Sequence, residues 1–197
     1  MHRKALRDLW HMRGQALAIA LVIASGIAML VMSAATLSSL QDTRDRLYRD
    51  YRFSDVWAQV KRAPNALAQR VAELPGVNEV ETRLIAGAKV ELADFHEPIE
   101  AVVQSLPDTG EPAQNRLYLR SGRMLAPFAD DEVLVSESFA LAHKLQPGDR
   151  LRATVYGRTQ WFTIVGMAVS PEYVYQIKPG AMFPDYQRYA ILWMNRR

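Results

Sequence analysis

The 197-residue chain contains no cysteine. That excludes a disulfide scaffold, a thiolate zinc site and a cysteine nucleophile, but it does not set the compartment. No G-x-x-x-x-G-K-[ST] phosphate loop occurs, nor any G-x-S-x-G or H-E-x-x-H pattern. The four histidines, His2, His11, His96 and His143, are scattered. Asp94, His96 and Glu97 stand close together, but "DFHEP" reads as a polar hairpin turn rather than a metal site, and "ADDEV" (129–133) as a solvated loop before a strand rather than a cation site. Asp55 and Glu73 are single acids without a visible partner. No catalytic, cofactor-binding or metal-ligating residue is expected. The excess of one charge sign is also small. Net charge is +3 with a pI near 9.3, and basic residues are interleaved with acids, which argues against a nucleic-acid partner.

Two further absences are local. No charged side chain lies between Gly14 and Gln41, and no Gly or Pro lies between Ile27 and Ala63. The first gap holds "ALAIALVIASGIAMLVMSAATL" (16–37). As a helix this run would reach about 33 Å, against about 30 Å of bilayer hydrocarbon. It exceeds the roughly 7–15 apolar residues of a signal peptide, and Ser33-Ala34-Ala35 matches a cleavage site only loosely. The expectation is a retained transmembrane helix over 15–40. Arg3, Lys4, Arg7 and Arg13 precede it with Asp8 as the only acid, whereas Arg44, Arg46 and Arg49 are matched by Asp42, Asp45 and Asp50. The basic flank predicts a cytoplasmic N-terminus and a periplasmic or extracellular body, in the inner membrane of a Gram-negative source. Residues 1–14, with Leu6, Leu9 and Trp10 on one face, read either as a basic amphipathic elbow at the lipid headgroups or as an ordinary basic flank. Ala16, Ala20, Ala24 and Ala28 recur every four residues, a spacing that lets a second helix approach, although alanine is also common in membrane helices.

The second gap extends the helix. Leu37, Leu40, Leu47 and Tyr51 fall at heptad-like spacing, and Asp42–Arg46 and Asp45–Arg49 are i,i+4 pairs. A helical stalk is expected over 41–53, with a frayed end and linker as the alternative. The body, 54–197, reads as α+β with a β-α-β-β start. A strand is expected at Ser54 to Val60, then a helix from Pro64-Asn65 to Pro75-Gly76 with Leu67, Val71 and Leu74 on one face. A strand at 77–85 should bury Val80, Thr82 and Leu84 and expose Glu79, Glu81 and Arg83. Two strands should follow around a turn near His96-Glu97-Pro98, then a short strand turning at Ser121-Gly122. Val133 to Val135 should form a strand and Ser136 should cap a helix ended by Pro147-Gly148. A hairpin should pair Leu151, Ala153 and Val155 with Trp161, Thr163 and Val165.

In order and spacing, several of these segments resemble FtsX/MacB-type permeases of ATP-binding-cassette (ABC) transporters. The carrying residues are "LRDLWHMRGQALAIAL", "RLYLRSGRML" with Gly122-Arg123, "VLVSESFALAHKLQPGDRLRA" with Gly148-Asp149, and "FTIVGMAVSPEYVY"; "GAMFPDYQRYAILWM" is similar to a segment of one bacterial subgroup. The resemblance implies a MacB-like periplasmic core domain. It implies a separate cytoplasmic ABC ATPase that binds the ATP, and a second permease copy, as homo- or heterodimer. A periplasmic adaptor is a further possible partner, and membrane lipid surrounds the helix. It also implies mechanotransmission, in which the stalk moves the extracytoplasmic domain in export, lipoprotein release or signalling. Such permeases return to the membrane with at least three more helices. The chain ends at Arg197 without a second apolar span, so the expectation is one part of a longer permease. A membrane-anchored binding or assembly module without an ATPase is the competing expectation.

Overall fold

The computed structural model describes residues 12–64 and 66–196. Most of the expected elbow, and Asn65 at the start of the second helix, lie outside them. The chain divides into one unit reaching to Leu47 and a second, Tyr48–Arg197.

Helix α1 runs from Arg13 to Asp50, 38 residues with none buried. At 1.5 Å per residue this is about 57 Å. It is long and apolar enough to cross a membrane. Ser25 and Thr36 donate from their hydroxyls to the carbonyls of Val22 and Met32 within the helix, each at 2.8 Å. Beyond Leu40 the expected i,i+4 ion pairs do not form. The pair present is Arg44 with its neighbour Asp45, at 2.8 Å and more than half exposed, a geometry worth little. The helix persists there because Thr43 to Asp50 contain no breaker.

In the second unit, α2 (Ala66–Ala72) is short, and none of its residues is buried. Seven strands follow: β1 (Ile85–Leu92), β2 (Phe95–Leu106), β3 (Tyr118–Gly122), β4 (Glu132–Ser136), β5 (Arg150–Val155), β6 (Arg158–Val169) and β7 (Tyr189–Asn195). Helix α3 (Glu137–His143) lies between β4 and β5. The sheet order is β3-β6-β4-β7-β2-β1-β5, and β5 also pairs with β6. Six strands therefore close a ring, and β3 branches from it at β6. The β2–β7 and β4–β6 pairs are parallel; the rest are antiparallel. One core contains Val90, Ile99, Leu151, Phe162, Ile164 and Leu192, closed by Phe139 and Ala140 of α3. A second, containing Leu134, Ile191 and Trp193, is packed by Leu117, Leu119, Met124 and Leu125.

This is the α+β class the residue pattern predicts, with local differences. Ser54 to Val60 and 77–84 join no ladder, so the sheet begins at β1. The face expected for 77–84 holds at Glu79, exposed, and Val80, half-buried, but is inverted over 81–84: Leu84 is exposed, whereas the side chains of Glu81 and Arg83 are only 12 % and 8 % exposed. The first hairpin turns at Ala93-Asp94, and His96 to Pro98 lie inside β2. Ser136 occupies the helix N-cap position, but its hydroxyl is spent on Gln176 at 2.9 Å. Leu151 faces Phe162 rather than Trp161; Trp161 lies half-exposed beneath Arg150 and Arg152. Ser121 and Gly122 belong to β3, where Gly122 faces Gly166 across the ladder. A Cβ on Gly122 would stand 2.3 Å from the Val165 carbonyl oxygen, and one on Gly166 2.6 Å from that of Arg123. Only glycine permits this approach.

Candidate functional site

The last turn of α1 belongs to the second unit, and the body grips it there. The Tyr48 ring stacks on Phe53 at 4.3 Å, and Tyr51 meets Tyr118 of β3 edge-on at 5.8 Å. Arg52 takes a left-handed φ of 48°, and the Phe53 amide turns back to donate to the Tyr48 carbonyl at 2.8 Å. The amides of Asn115 and Arg116 donate to the carbonyls of Arg52 and Tyr51, both at 2.9 Å. The Arg52 and Phe53 amides thus close the helix-end carbonyls of Arg49 and Tyr48, and the carbonyls of Tyr51 and Arg52 just past the helix are satisfied by the body.

Asn115 is the fastener. It is buried, with a φ of 50°, a conformation asparagine tolerates better than most residues. Its Oδ1 accepts from the Ser54 amide at 3.0 Å, and its Nδ2 donates to Ser54 Oγ at 2.7 Å. The Ser54 hydroxyl in turn donates to Gln114 Oε1 at 2.6 Å.

A buried ion cluster braces the fastener. Arg83 donates to Glu81 at 2.7 Å, to Glu172 at 3.0 Å and to the Gln114 carbonyl at 2.5 Å. Glu81 accepts from the Gln114 amide at 2.7 Å. Gln104 donates to Glu172 at 2.9 Å and to the Tyr173 hydroxyl at 2.7 Å, and accepts from the Trp193 indole at 3.2 Å. Burial pushes the Glu172 carboxyl above its usual range, partly offset by Arg83 and Gln104. Burial, with the Glu172 charge beside it, pushes Tyr173 up to about 12. Among the described residues every buried polar side-chain atom has a partner, as such a network requires.

Of the residues singled out in sequence, Ala16 is half-buried and Ala20, Ala24 and Ala28 are exposed along α1. Leu37 and Leu40 are exposed, and Leu47 is half-buried. Only Tyr51 reaches the junction; Tyr48, Asn115 and the Arg83 cluster went unrecognised. The signal available was the "ETR" at 81–83, whose two charges two residues apart must share a face in extended chain, with the asparagine before "RLYL". Among the described residues no cluster of His, Asp or Glu could hold a metal ion.

The model of the MacB-like periplasmic core domain matches residues 14–195. The chain belongs to this family. The MacB-like periplasmic core domain is a part of ABC-transporter permeases, so the chain has a transporter-associated role, and its family is a permease component rather than a classical enzyme. No curated protein matches the chain. It is similar to the extracellular domain of the noncanonic ABC-type transporter YknZ from Gram-positive bacteria, with 13 % identity, a TM-score of 0.41, and 66 % of this chain and 61 % of that one covered. It is also similar to the periplasmic region of MacB from Actinobacillus actinomycetemcomitans, with 11 % identity, a TM-score of 0.37, and 68 % and 56 % covered. The chain therefore spans less than two thirds of either solved domain.

Proposed function

We propose that the chain supplies the first membrane helix and extracytoplasmic core of a permease subunit. A separate cytoplasmic ATPase binds and hydrolyses ATP, two permease copies move against each other, and α1 carries the motion to the body for export, lipoprotein release or signalling. The N-terminus is cytoplasmic, the body is periplasmic or extracellular, and Ala16, Ala20, Ala24 and Ala28 form a packing face in the membrane. Leu37, Leu40, Leu47 and Tyr51 belong to the rigid stalk.

One observation carries this reading: the chain leaves α1 through Tyr51 and Arg52, whose carbonyls are bonded to Asn115 and Arg116. A tether that merely retained the body would need no such grip, and Gly and Ser would serve it better. A continuous helix fastened at its end transmits tilt or shift; a coil does not.

Arg44→Pro tests this. Proline in a helix interior costs about 3 kcal/mol and kinks or breaks it. In the complete transporter, expression and folding of the body are expected to persist and basal ATPase activity of the partner to survive, while the export-linked function is lost. Unchanged function in Arg44→Pro, or in a Gly-Ser insertion after Asp42, would favour a simple anchor without an ATPase partner.

A further inference from the structure

Arg83 sits on the two peptide groups that hold the end of α1. Its Nη2 donates to the Gln114 carbonyl at 2.5 Å and reaches that of Asn115 at 3.5 Å. In a trans peptide the carbonyl of one residue and the amide of the next are opposite ends of one planar unit. The Gln114 carbonyl therefore shares its unit with the Asn115 amide, which donates to Arg52. The Asn115 carbonyl shares its unit with the Arg116 amide, which donates to Tyr51. A cation at the carbonyl end polarises such a unit and makes its N–H a stronger donor.

How strongly Arg83 acts depends on how far its charge is neutralised. Two carboxylates face it, Glu81 through Nε at 2.7 Å and Glu172 through Nη1 at 3.0 Å. One cation between two anions leaves one negative charge in excess, and the Glu81, Arg83 and Glu172 side chains are only 12 %, 8 % and 6 % exposed. Excess buried charge is costly and favours uptake of a proton. Glu172 is the carboxylate placed to take it. Glu81 accepts at 2.7 Å from both Arg83 and the Gln114 amide, bonds that favour its charged form. Glu172 is less exposed, and its bonds from Arg83 and Gln104 are longer, at 3.0 and 2.9 Å. The charged and titratable groups around it are Arg83 and Glu81 from the segment before β1 and Tyr173 from its own helical turn, Pro171–Tyr173. β2 offers the neutral Gln104, whose amide is oriented by the Trp193 indole of β7. The rise of the Glu172 carboxyl above its usual range agrees; burial is its main cause, and the Glu81 charge adds to it.

We propose that Glu81, Arg83 and Glu172 form a proton-operated latch on the exit of α1: when Glu172 takes up a proton, Arg83 loosens from the turn Pro171–Tyr173, and its less shared charge tightens the hold of Asn115 and Arg116 on Arg52 and Tyr51. The latch is a property of the body and does not rest on the permease reading above.

Amide hydrogen exchange of the full chain in detergent tests it, with protection taken over the intrinsic rate at each pH and relative to the amides of β2. Between about pH 7.5 and about pH 5, protection at Asn115 and Arg116 should rise about fivefold, while protection at Glu172 and Tyr173 should fall. Glu172→Gln should hold both sets at their acid values throughout. Glu81→Gln removes the excess negative charge, so its step should move to lower pH. Junction and turn moving in the same direction, a junction that changes only in parallel with β2, or an unchanged step in Glu172→Gln would each overturn the latch. Should Glu172→Gln fail to fold, Glu81→Gln decides the matter, and a step left in place there overturns the latch as well.

Discussion

The amide of Asn115 donates to the carbonyl of Arg52 at 2.9 Å, joining the second residue after α1 to the loop that leads into β3. Asn115 holds Ser54 through both ends of its side-chain amide as well. Asn115→Ala would remove two buried hydrogen bonds, leave the Ser54 amide unsatisfied and keep a left-handed φ on a residue less suited to it. A loss of about 1–3 kcal/mol is expected, read as a lower urea midpoint for the full chain in detergent. A midpoint equal to wild type would show that the fastener does not bear on stability.

Gly166 is a second point of little tolerance. Its missing side chain leaves room for the carbonyl oxygens of Arg123 and Ser121, which a Cβ would meet at 2.6 and 2.9 Å. Both neighbours are backbone, so relief requires β3 to move. Gly166→Ala should cost about 1–3 kcal/mol by overpacking, with β3 amides exchanging hydrogen faster than those of β2. Unaltered exchange in β3 would count against this.

Two glutamates should respond to acid in opposite directions. Glu172 has its folded-state pKa raised by burial, so the native state binds a proton more readily than the unfolded chain. Its contribution grows as pH falls from above the raised value to below the ordinary one. Glu132 has its pKa lowered, chiefly by its hydrogen bond from Arg123 and also by that from the Ala126 amide, against some desolvation. Its contribution is present above the ordinary carboxyl range and is lost as pH falls through the lowered value. Acidifying should therefore raise wild-type stability relative to Glu172→Gln and lower it relative to Glu132→Gln. Denaturation midpoints across the acidic range would check both signs, and a shared sign would refute the assignment.

Topology is open to a direct test. A reporter fused after Arg197 should be active only outside the cytoplasm, and the mature N-terminus should still carry Met1 or His2. Mature chains that start near Ala35 would mean a cleaved signal instead.

The long helix was legible because its signals are redundant: uncharged length, then an absence of breakers. The alternation of Leu151 to Val155 was legible because Leu151 and Ala153 face one core, and the apolar run Val133 to Val135 because it is buried on both faces, Val133 and Val135 in that core and Leu134 in the second. The face of 77–84 was not. Alternation cannot say which of two sets points inward when the inward set consists of charges that neutralise one another, as Glu81 and Arg83 do. The junction was equally hidden, since its bonds are backbone amides and a left-handed asparagine brought together from residues 60 or more positions apart. Composition carries no mark of them.

The closed ring of six strands has a mechanical consequence. No strand in it can peel away alone, since each is held on two sides and freeing it means breaking two ladders. β3 is different. It hangs on β6 by one short ladder interrupted between Leu119 and Ser121, and it directly follows the loop that grips Tyr51 and Arg52. A pull delivered through that grip reaches the β3–β6 ladder before it reaches the ring. The β3–β6 ladder is placed as a fuse: it should part before the ring does, and forced unfolding of the full chain would show this as a small first extension ahead of the main rupture.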